Sequence, residues 1–223
     1  MTDKKTYIVI PAYNESEVIG LVLDELHKQN YRNIIVVDDG STDSTDLKAK
    51  EKDVVVLRHM LNRGKGAAVK TGIEAAKILQ ADQIVTFDAD GQHEPQDIKE
   101  ALKLLEKFDV VLGKRNFQEK HIPFFKKIGN FFGNLVTWLI HGLWVSDSQS
   151  GMRAYSKKAI SLMETLADRY DYDSEIMREI VRNKLSYTEM PIHVRYTEYS
   201  QKKTNRQSYS GAVKTVIKMV LSG

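Results

Sequence analysis

The stretch QIVTFDADGQHEP, residues 83–95, combines three features that indicate how the chain folds. It begins with an almost wholly apolar run, which is typical of a strand buried on both faces of a sheet. The run ends in two aspartates one residue apart, Asp88 and Asp90, followed by a glycine. Pro95 then opens the helical pattern PQDIKEALKLLEK, and proline suits the first turn of a helix. A buried strand followed directly by a helix is the repeating unit of a parallel α/β sheet.

The same alternation runs through the first half of the chain. Apolar, β-branched runs predict further buried strands at YIVI (7–10), NIIVVDD (33–39), DVVVLR (53–58) and DVVLGKR (109–115). Helical patterns occur between them, at residues 16–29 and 64–79. Later in the chain, DSEIMREIVRN (173–183) is typical of a helix and LSYTEMPIHVRY (185–196) of a strand. The predicted fold class is therefore α/β, a mostly parallel, doubly wound sheet flanked by helices.

Composition limits the possible functions. The 223 residues are 42% hydrophobic, which suits one domain spanning residues 1–223. A net charge of +3 argues against a dedicated nucleic-acid binder. The absence of cysteine excludes disulfides, zinc–thiolate sites and cysteine nucleophiles. The opening residues MTDKKTYIVIPAYNE contain no signal-peptide-like apolar segment, so we expect the chain to act in the cytoplasm.

Polar residues follow every predicted strand of the first half. Ligands of doubly wound sheets bind beyond the carboxyl ends of the strands, so these segments are the candidate site. They comprise Pro11–Glu15, Asp38–Asp43, Asn62–Gly66, Asp88–His93 and Gly113–Asn116. The stretch NRGKGAA (62–68) has two glycines and two cations, one of which is Lys65. They lie at a predicted helix start, where an anion would be favoured. The pattern matches neither the dinucleotide-binding Gly-x-Gly-x-x-Gly nor a P-loop, which disfavours a dehydrogenase or a P-loop kinase.

Asp88 and Asp90 are candidate metal ligands. Alternate residues of an extended chain point the same way, so the two carboxylates can address one cation, and Gln92 continues the spacing. Mg²⁺ and Mn²⁺ prefer oxygen ligands and usually share them with substrate phosphates. Taken alone, the pair is more simply explained as an acidic turn before the helix at Pro95. The other polar strand ends favour the metal.

Together, five stretches resemble the family 2 glycosyltransferases, which have the GT-A (Rossmann-like) fold. In order, they are VIPAYNE (9–15), VVDDGSTD (36–43), NRGKGAAVKTG (62–72), DADGQH (88–93) and DSQSGMRAYSKKA (147–159). The polyprenyl-phosphate glycosyltransferases of the dolichol-phosphate mannose synthase type are the most similar group. The resemblance implies transfer of a sugar from a UDP- or GDP-linked donor to a polyprenyl phosphate, with Mg²⁺ or Mn²⁺ as cofactor. A same-fold enzyme acting on a glycan hydroxyl in polysaccharide synthesis is the alternative.

The resemblance also implies roles for individual residues. Donor-binding residues would be Pro11, Ala12, Tyr13, Glu15, Asp39, Lys65, Asp88, Ala89 and Arg206. The metal and diphosphate would be surrounded by Asp88, Asp90 and Gln92. Arg115 would approach the acceptor phosphate, and the acceptor side would be lined by Asp147, Ser150, Gly151 and Arg153. Arg206 lies in the basic stretch KKTNRQS (202–208), which departs from the Lys-Gly-Gln-Ser form associated with bacterial members.

The choice of acceptor determines which catalytic groups are needed. A lipid phosphate, with a second pKa of about 6, is already nucleophilic at neutral pH and needs cations to position it, for which Arg115, Lys126 and Lys127 are available. A sugar hydroxyl would need a general base, with Asp147 the first candidate and Glu175 the second. A single in-line displacement would invert the anomeric centre.

The segment from about residue 122 to 145 differs from the rest of the chain. Its apolar and polar residues recur at steps of three and four, which predicts an amphipathic helix. A helix lying in the membrane interface, preceded by Lys126 and Lys127, would bring the enzyme to a lipid acceptor at the inner face of the cell membrane. Packing on the sheet is the alternative, and a transmembrane span fits less well. Related enzymes often carry membrane helices beyond the position at which this chain ends.

Overall fold

A computed structural model describes residues 4–115, 143, 145–147, 150–163, 172–195 and 199. Seven strands within these residues form one sheet in the order β3-β2-β1-β4-β6-β5-β7. The strands are β1 (Thr6–Ala12), β2 (Ile34–Asp38), β3 (Val55–Arg58), β4 (Gln83–Thr86), β5 (Val110–Arg115), β6 (Arg153–Ser156) and β7 (Tyr187–Ile192). The helices are α1 (Ile19–Lys28), α2 (Thr45–Lys50), α3 (Lys65–Ile78), α4 (Gln96–Leu104), α5 (Lys157–Leu162) and α6 (Tyr172–Arg182). The predicted α/β class, with a mostly parallel sheet between helices, is confirmed.

Consecutive strand residues point to opposite faces of the sheet, and helices cover both faces. In β1, Val9 belongs to the core beneath α3, α5 and α6, whereas Ile8 and Ile10 belong to the core beneath α1 and α4. All five residues of β2 are buried, as expected for a central parallel strand. Helix α3 lies especially close to β1, because a Cβ atom on Gly72 would come within 2.3 Å of Val9 Cγ1.

Two features differ from the sequence prediction. The segment 53–58 was predicted to be a buried strand, but β3 is the edge strand, and none of its four residues is fully buried. Strand β6 was not predicted; it runs antiparallel between β4 and β5. Only four residues long, β6 is followed at once by α5, whose N-cap Ser156 accepts a hydrogen bond from Ala159 N at 3.3 Å. Its signal in the sequence is therefore weak.

None of the helices among the described residues combines the length and apolar character that crossing a membrane requires. The predicted amphipathic helix at 122–145 lies outside the described residues, apart from Leu143 and Val145, which are both buried.

Candidate active site

The loops after β1, β2, β3 and β4 meet at the carboxyl edge of the sheet. From β1 the chain passes to β2 on one side, and β4 lies on the other side of β1, so the strand order reverses at this point. Such a switch point is the usual ligand site of a doubly wound sheet. Gly40, after β2, has a φ of +71° and would place a Cβ 2.6 Å from the carbonyl carbon of Leu61. Glycine therefore lets the loop after β2 pack directly against the loop after β3.

Asp39 anchors the chain that leads into α3. Its carboxylate accepts hydrogen bonds from Arg63 N at 3.0 Å and Gly64 N at 2.7 Å. His59 Nδ1 lies 2.7 Å from Asp39 Oδ1, and the other ring nitrogen lies 2.9 Å from Thr71 Oγ1. The buried carboxylate thus fixes the loop before Lys65, a role that the sequence did not reveal. The predicted contact of Asp39 with a nucleoside stays a prediction.

The loop after β1 contains the other predicted nucleoside residues. Ala12 is buried, Pro11 is half-buried and Tyr13 is 41% exposed. Glu15 is buried, its N–H donates to Thr45 Oγ1 at 2.8 Å, and its Oε2 accepts a hydrogen bond from the Tyr199 hydroxyl at 2.7 Å. Burial and this bond to Glu15 both raise the pKa of Tyr199, so the phenol stays protonated and able to donate.

Three groups converge on the carboxylate of Asp88. Lys65 Nζ lies 2.6 Å from Oδ1, and His93 Nε2 lies 3.3 Å from Oδ2. Gly151 lies so close that a Cβ there would fall 2.2 Å from Oδ2. The His93 ring is buried and packs edge-on against Phe87, with ring centroids 5.5 Å apart. Burial raises the pKa of Asp88, but the charge of Lys65 and the bond to His93 outweigh it and hold the pKa well below its usual range, so the carboxylate is ionised.

Asp90 lies next to this ionised group. Burial and the negative charge of Asp88 raise its pKa, while Gln92 N donates to its Oδ1 at 3.1 Å. A carboxylate destabilised by a like charge is a place where an added cation is favourable. The half-buried Gln92 is fixed through its backbone oxygen, which accepts from Arg195 N at 2.8 Å.

The donor set suits a metal shared with a substrate. Among the described residues, no group of three or more histidine, aspartate or glutamate side chains could enclose an ion. Mg²⁺ is commonly held by one or two carboxylates together with water and phosphate oxygens, and Mn²⁺ accepts the same oxygen ligands. Asp88 and Asp90, with the amide oxygen of Gln92 nearby in the sequence, fit an ion that takes the rest of its shell from a diphosphate.

Arg115 and Asp147, both predicted to be catalytic, form a bidentate ion pair. Arg115 Nε lies 2.7 Å from Asp147 Oδ2, and Nη2 lies 2.8 Å from Oδ1. The backbone N–H of Arg115 donates to the same carboxylate at 3.1 Å. The Asp147 side chain is fully buried, whereas that of Arg115 is 31% exposed. The carboxylate therefore serves to orient the guanidinium, and both its oxygens already accept hydrogen bonds.

The remaining predicted acceptor residues lie around the start of β6. Arg153 is buried and does not reach the protein surface; its Nη2 lies 2.5 Å from Asp173 Oδ1, and its guanidinium lies over the ring of Tyr172 at 5.3 Å. The Ser150 hydroxyl is buried and has no hydrogen-bond partner among the described residues. Asp173, at the start of α6, was not among the predicted site residues, although the sequence already placed it in the first turn of a predicted helix.

The remaining predicted residues are those of two segments outside the described residues and Glu175. Lys126, Lys127 and the basic stretch 202–208 with Arg206 lie outside the described residues. Glu175, the second candidate general base, lies on α6 and pairs loosely with Arg178 at 3.6 Å. The structure thus brings together Lys65, Asp88 and the loop of Asp90, and it pairs Arg115 with Asp147.

The family model described as glycosyl transferase family 2 matches residues 7–163. The chain belongs to this family and is a glycosyltransferase with the GT-A fold. It is 44% identical over 201 residues to an uncharacterized protein of Methanocaldococcus jannaschii, covering 87% of this chain and 83% of that protein. It is 41% identical over 224 residues to the UDP-N-acetylglucosamine–dolichyl-phosphate N-acetylglucosaminyltransferase of Methanococcus voltae, covering 90% of this chain and 89% of the relative.

Among solved structures, the glucosyl-3-phosphoglycerate synthase of Mycobacterium tuberculosis has a similar fold. The TM-score is 0.72 at 17% identity, covering 98% of this chain and 78% of the other. That enzyme was crystallised with Mn²⁺, uridine diphosphate and phosphoglyceric acid. At this identity the likeness supports the GT-A fold predicted from the sequence. The resemblance to polyprenyl-phosphate glycosyltransferases is confirmed by relatives such as the Methanococcus voltae enzyme.

Proposed function

We propose that this protein is a metal-dependent, inverting glycosyltransferase that moves a sugar from a UDP- or GDP-linked donor to a polyprenyl phosphate. The observation that carries the proposal is the convergence of Lys65, His93 and Gly151 on the ionised Asp88, beside Asp90, at the switch point of the sheet. The name of the Methanococcus voltae relative supports a nucleotide-sugar donor and a dolichyl phosphate acceptor.

The residues around Asp88 suit the departure of a nucleoside diphosphate. Asp88 and Asp90, with Gln92, would hold Mg²⁺ or Mn²⁺, which when bound would offset the charge developing on the leaving diphosphate. Lys65 adds a positive charge next to the same position, at the N-terminus of α3, where the helix dipole also favours an anion. Glu15, Tyr13 and the loop anchored by Asp39 would form the wall that binds the nucleoside.

The ion pair of Arg115 favours a phosphate acceptor over a hydroxyl. Asp147 would have to release its hydrogen bonds from Arg115 before it could accept a proton from a sugar hydroxyl. Arg115, in contrast, is partly exposed and held in a fixed orientation, as a group that positions an anionic nucleophile should be. A lipid phosphate would attack the anomeric carbon as the carbon–diphosphate bond breaks, and this single displacement would invert the configuration.

Substitution of the two aspartates tests the catalytic assignment. We expect Asp88→Asn and Asp90→Asn each to lower metal-dependent transfer by about 100-fold or more, because a preorganised charge that acts on the transition state is lost. Asp82→Asn is the matched control. Asp82 lies just before β4, at the opposite end of that strand from Asp88 and about 20 Å from it by strand geometry. Asp82 pairs with Lys157. Transfer that persists in both site variants would show that the site is elsewhere.

The donor and acceptor are tested separately. A thermal-shift panel of nucleotide sugars, with and without Mn²⁺, identifies the donor because ligand binding raises apparent stability by mass action. Arg115→Ala should leave donor binding near normal while transfer to a short-chain polyprenyl phosphate falls. A loss of donor affinity instead would remove Arg115 from the acceptor side.

Membrane association is tested with the whole chain. We propose that the segment around 122–145 brings the enzyme to the cytoplasmic face of the membrane, as its amphipathic sequence suggests. The protein should co-sediment with vesicles containing anionic lipid. Full activity on water-soluble acceptors without any co-sedimentation would contradict this placement.

A further inference from the structure

Lys65 and Asp88 form a partly exposed ion pair at the carboxyl edge of the sheet. The ammonium lies 2.6 Å from Asp88 Oδ1; the Lys65 side chain is 50% exposed and that of Asp88 is 23% exposed. Both groups are thus within reach of an incoming solute. Lys65 is the first residue of α3, directly after Gly64, whose φ of +97° turns the chain into the helix.

Several carboxylates surround this lysine. The charges of Asp88, Asp173 and Asp90 all act on it. Lysine has an ordinary pKa of about 10.4, so the side chain is an ammonium ion at neutral pH. Asp173 is paired with Arg153 at 2.5 Å, whereas Lys65 is paired with Asp88.

Lys65 contacts Oδ1 of Asp88 and His93 Nε2 lies 3.3 Å from Oδ2, so a divalent cation bound by Asp88 would have to share the carboxylate with this ammonium. Two cations on one carboxylate would lie within about 4 Å of each other, and repulsion at that distance is substantial in a partly buried site. Asp88 therefore binds either the ammonium of Lys65 or the metal, unless Lys65 pairs with another anion. A nucleoside diphosphate at the N-terminus of α3 provides one.

We propose that Lys65 competes with the divalent cation for Asp88 in the free enzyme, and that the diphosphate of the donor draws Lys65 away so that metal and nucleotide bind cooperatively. This inference rests on the proposed function, because it assigns the metal and the diphosphate to the same site. Lys65 is then a positioning residue that makes the metal bind weakly when the donor is absent. The metal and the nucleotide each raise the affinity of the other by the same factor.

The experiment measures Mn²⁺ binding directly, without turnover. Free Mn²⁺ is followed by electron paramagnetic resonance during titration of the protein alone and with saturating UDP or GDP. For Lys65→Met we expect Mn²⁺ to bind the nucleotide-free protein about tenfold more tightly than it binds the wild type, which corresponds to about 1.4 kcal/mol. The gain in Mn²⁺ affinity caused by the nucleotide should shrink correspondingly.

Two controls separate this competition from a general charge effect. Lys77→Met removes one positive charge from the same helix, about 18 Å from Lys65 by helix geometry, where Lys77 pairs with Glu74 at 2.9 Å. It should bind Mn²⁺ as the wild type does. Lys65→Arg keeps the cation and should also stay close to the wild type.

The outcomes are distinguishable from failure of the proposed function. If the wild type binds Mn²⁺ and nucleotide cooperatively but Lys65→Met gains no Mn²⁺ affinity, the competition is refuted and the proposed function stands. Equal gains in Lys65→Met and Lys65→Arg would also refute it, since the arginine retains the charge. If the wild type binds neither UDP nor GDP in the presence of Mn²⁺, the proposed function itself fails.

Discussion

The close approach of Gly151 to Asp88 gives a sharp test of the site. In Gly151→Ala, the new methyl group would lie 2.2 Å from Asp88 Oδ2, 2.3 Å from Oδ1 and 2.4 Å from Cγ, whereas real Cβ contacts essentially never fall below 3.0 Å. The carboxylate must therefore retreat by about 0.8 Å or more. Such a shift disturbs the contacts with Lys65 and His93 that hold it in place.

The expected effect is mainly on catalysis. A misplacement of about 1 Å in a catalytic group can lower the rate by about 100-fold, equivalent to about 2.7 kcal/mol of transition-state stabilisation. The fold should survive, because the group that must move is the end of a side chain; we expect a loss of stability of about 1 kcal/mol, at the low end for overpacking. Initial rates of sugar transfer, the Mn²⁺ dependence of those rates and thermal unfolding measure these effects.

Gly20→Ala is the matched control for that substitution. Gly20 lies in α1, and a Cβ there would meet only Lys52 Cε, at 3.8 Å. Alanine should stabilise this helix by about 0.5–1 kcal/mol and leave the transfer rate unchanged. If Gly151→Ala transfers sugar within about threefold of the wild-type rate and with the same Mn²⁺ dependence, then the position of Asp88 does not matter for the reaction.

Three further predictions concern the framework of the site. Gly72→Ala should lower the free energy of unfolding by about 1–3 kcal/mol in urea denaturation, because its methyl group overlaps β1, while activity per folded molecule is retained; unchanged stability would contradict the close packing of α3. In a double-mutant cycle of Arg115→Ala and Asp147→Asn, the free energies of unfolding should give a coupling energy of about 1–3 kcal/mol. Additive losses of stability would show that the pair does not act as a unit. The hydrogen bond to Asp97 raises the pKa of His193, so its stabilising effect is fully present below about pH 6.5 and is lost as pH rises through the raised pKa. The stability difference between wild type and His193→Gln should therefore shrink from pH 5.5 to pH 8.5, and a difference that grows with pH would reverse the assignment.

The central part of the fold could be predicted because its physical signal is local. Strand β2 is buried along its whole length, and the helical repeat of α1 is equally clear, so composition and periodicity suffice. The edge position of β3 could not be predicted, since edge and central strands have similar apolar runs. The antiparallel β6 is set by pairing with β4 and β5, which are distant in sequence.

The site shows the same division. The spacing of Asp88 and Asp90, taken together with the other polar strand ends, predicted a metal site. The structure adds that Lys65 lies against Asp88. The pairing of Arg115 with Asp147 joins residues 32 positions apart and depends on how the chain returns to the sheet. The anchoring of the loop before α3 by Asp39 likewise depends on packing between two loops, which no short motif encodes.

The antiparallel insertion of β6 affects how the sheet can accommodate changes in the segment between β5 and β6. Because β5 ends and β6 begins at the same edge of the sheet, the 37 residues between them start and finish at neighbouring points of the sheet. The two junctions are fastened by Gly113 N to Met152 O at 2.9 Å and by Arg115 to Asp147. Because the two ends of this segment are held together at one edge of the sheet, its length and sequence can change without altering the order of the strands.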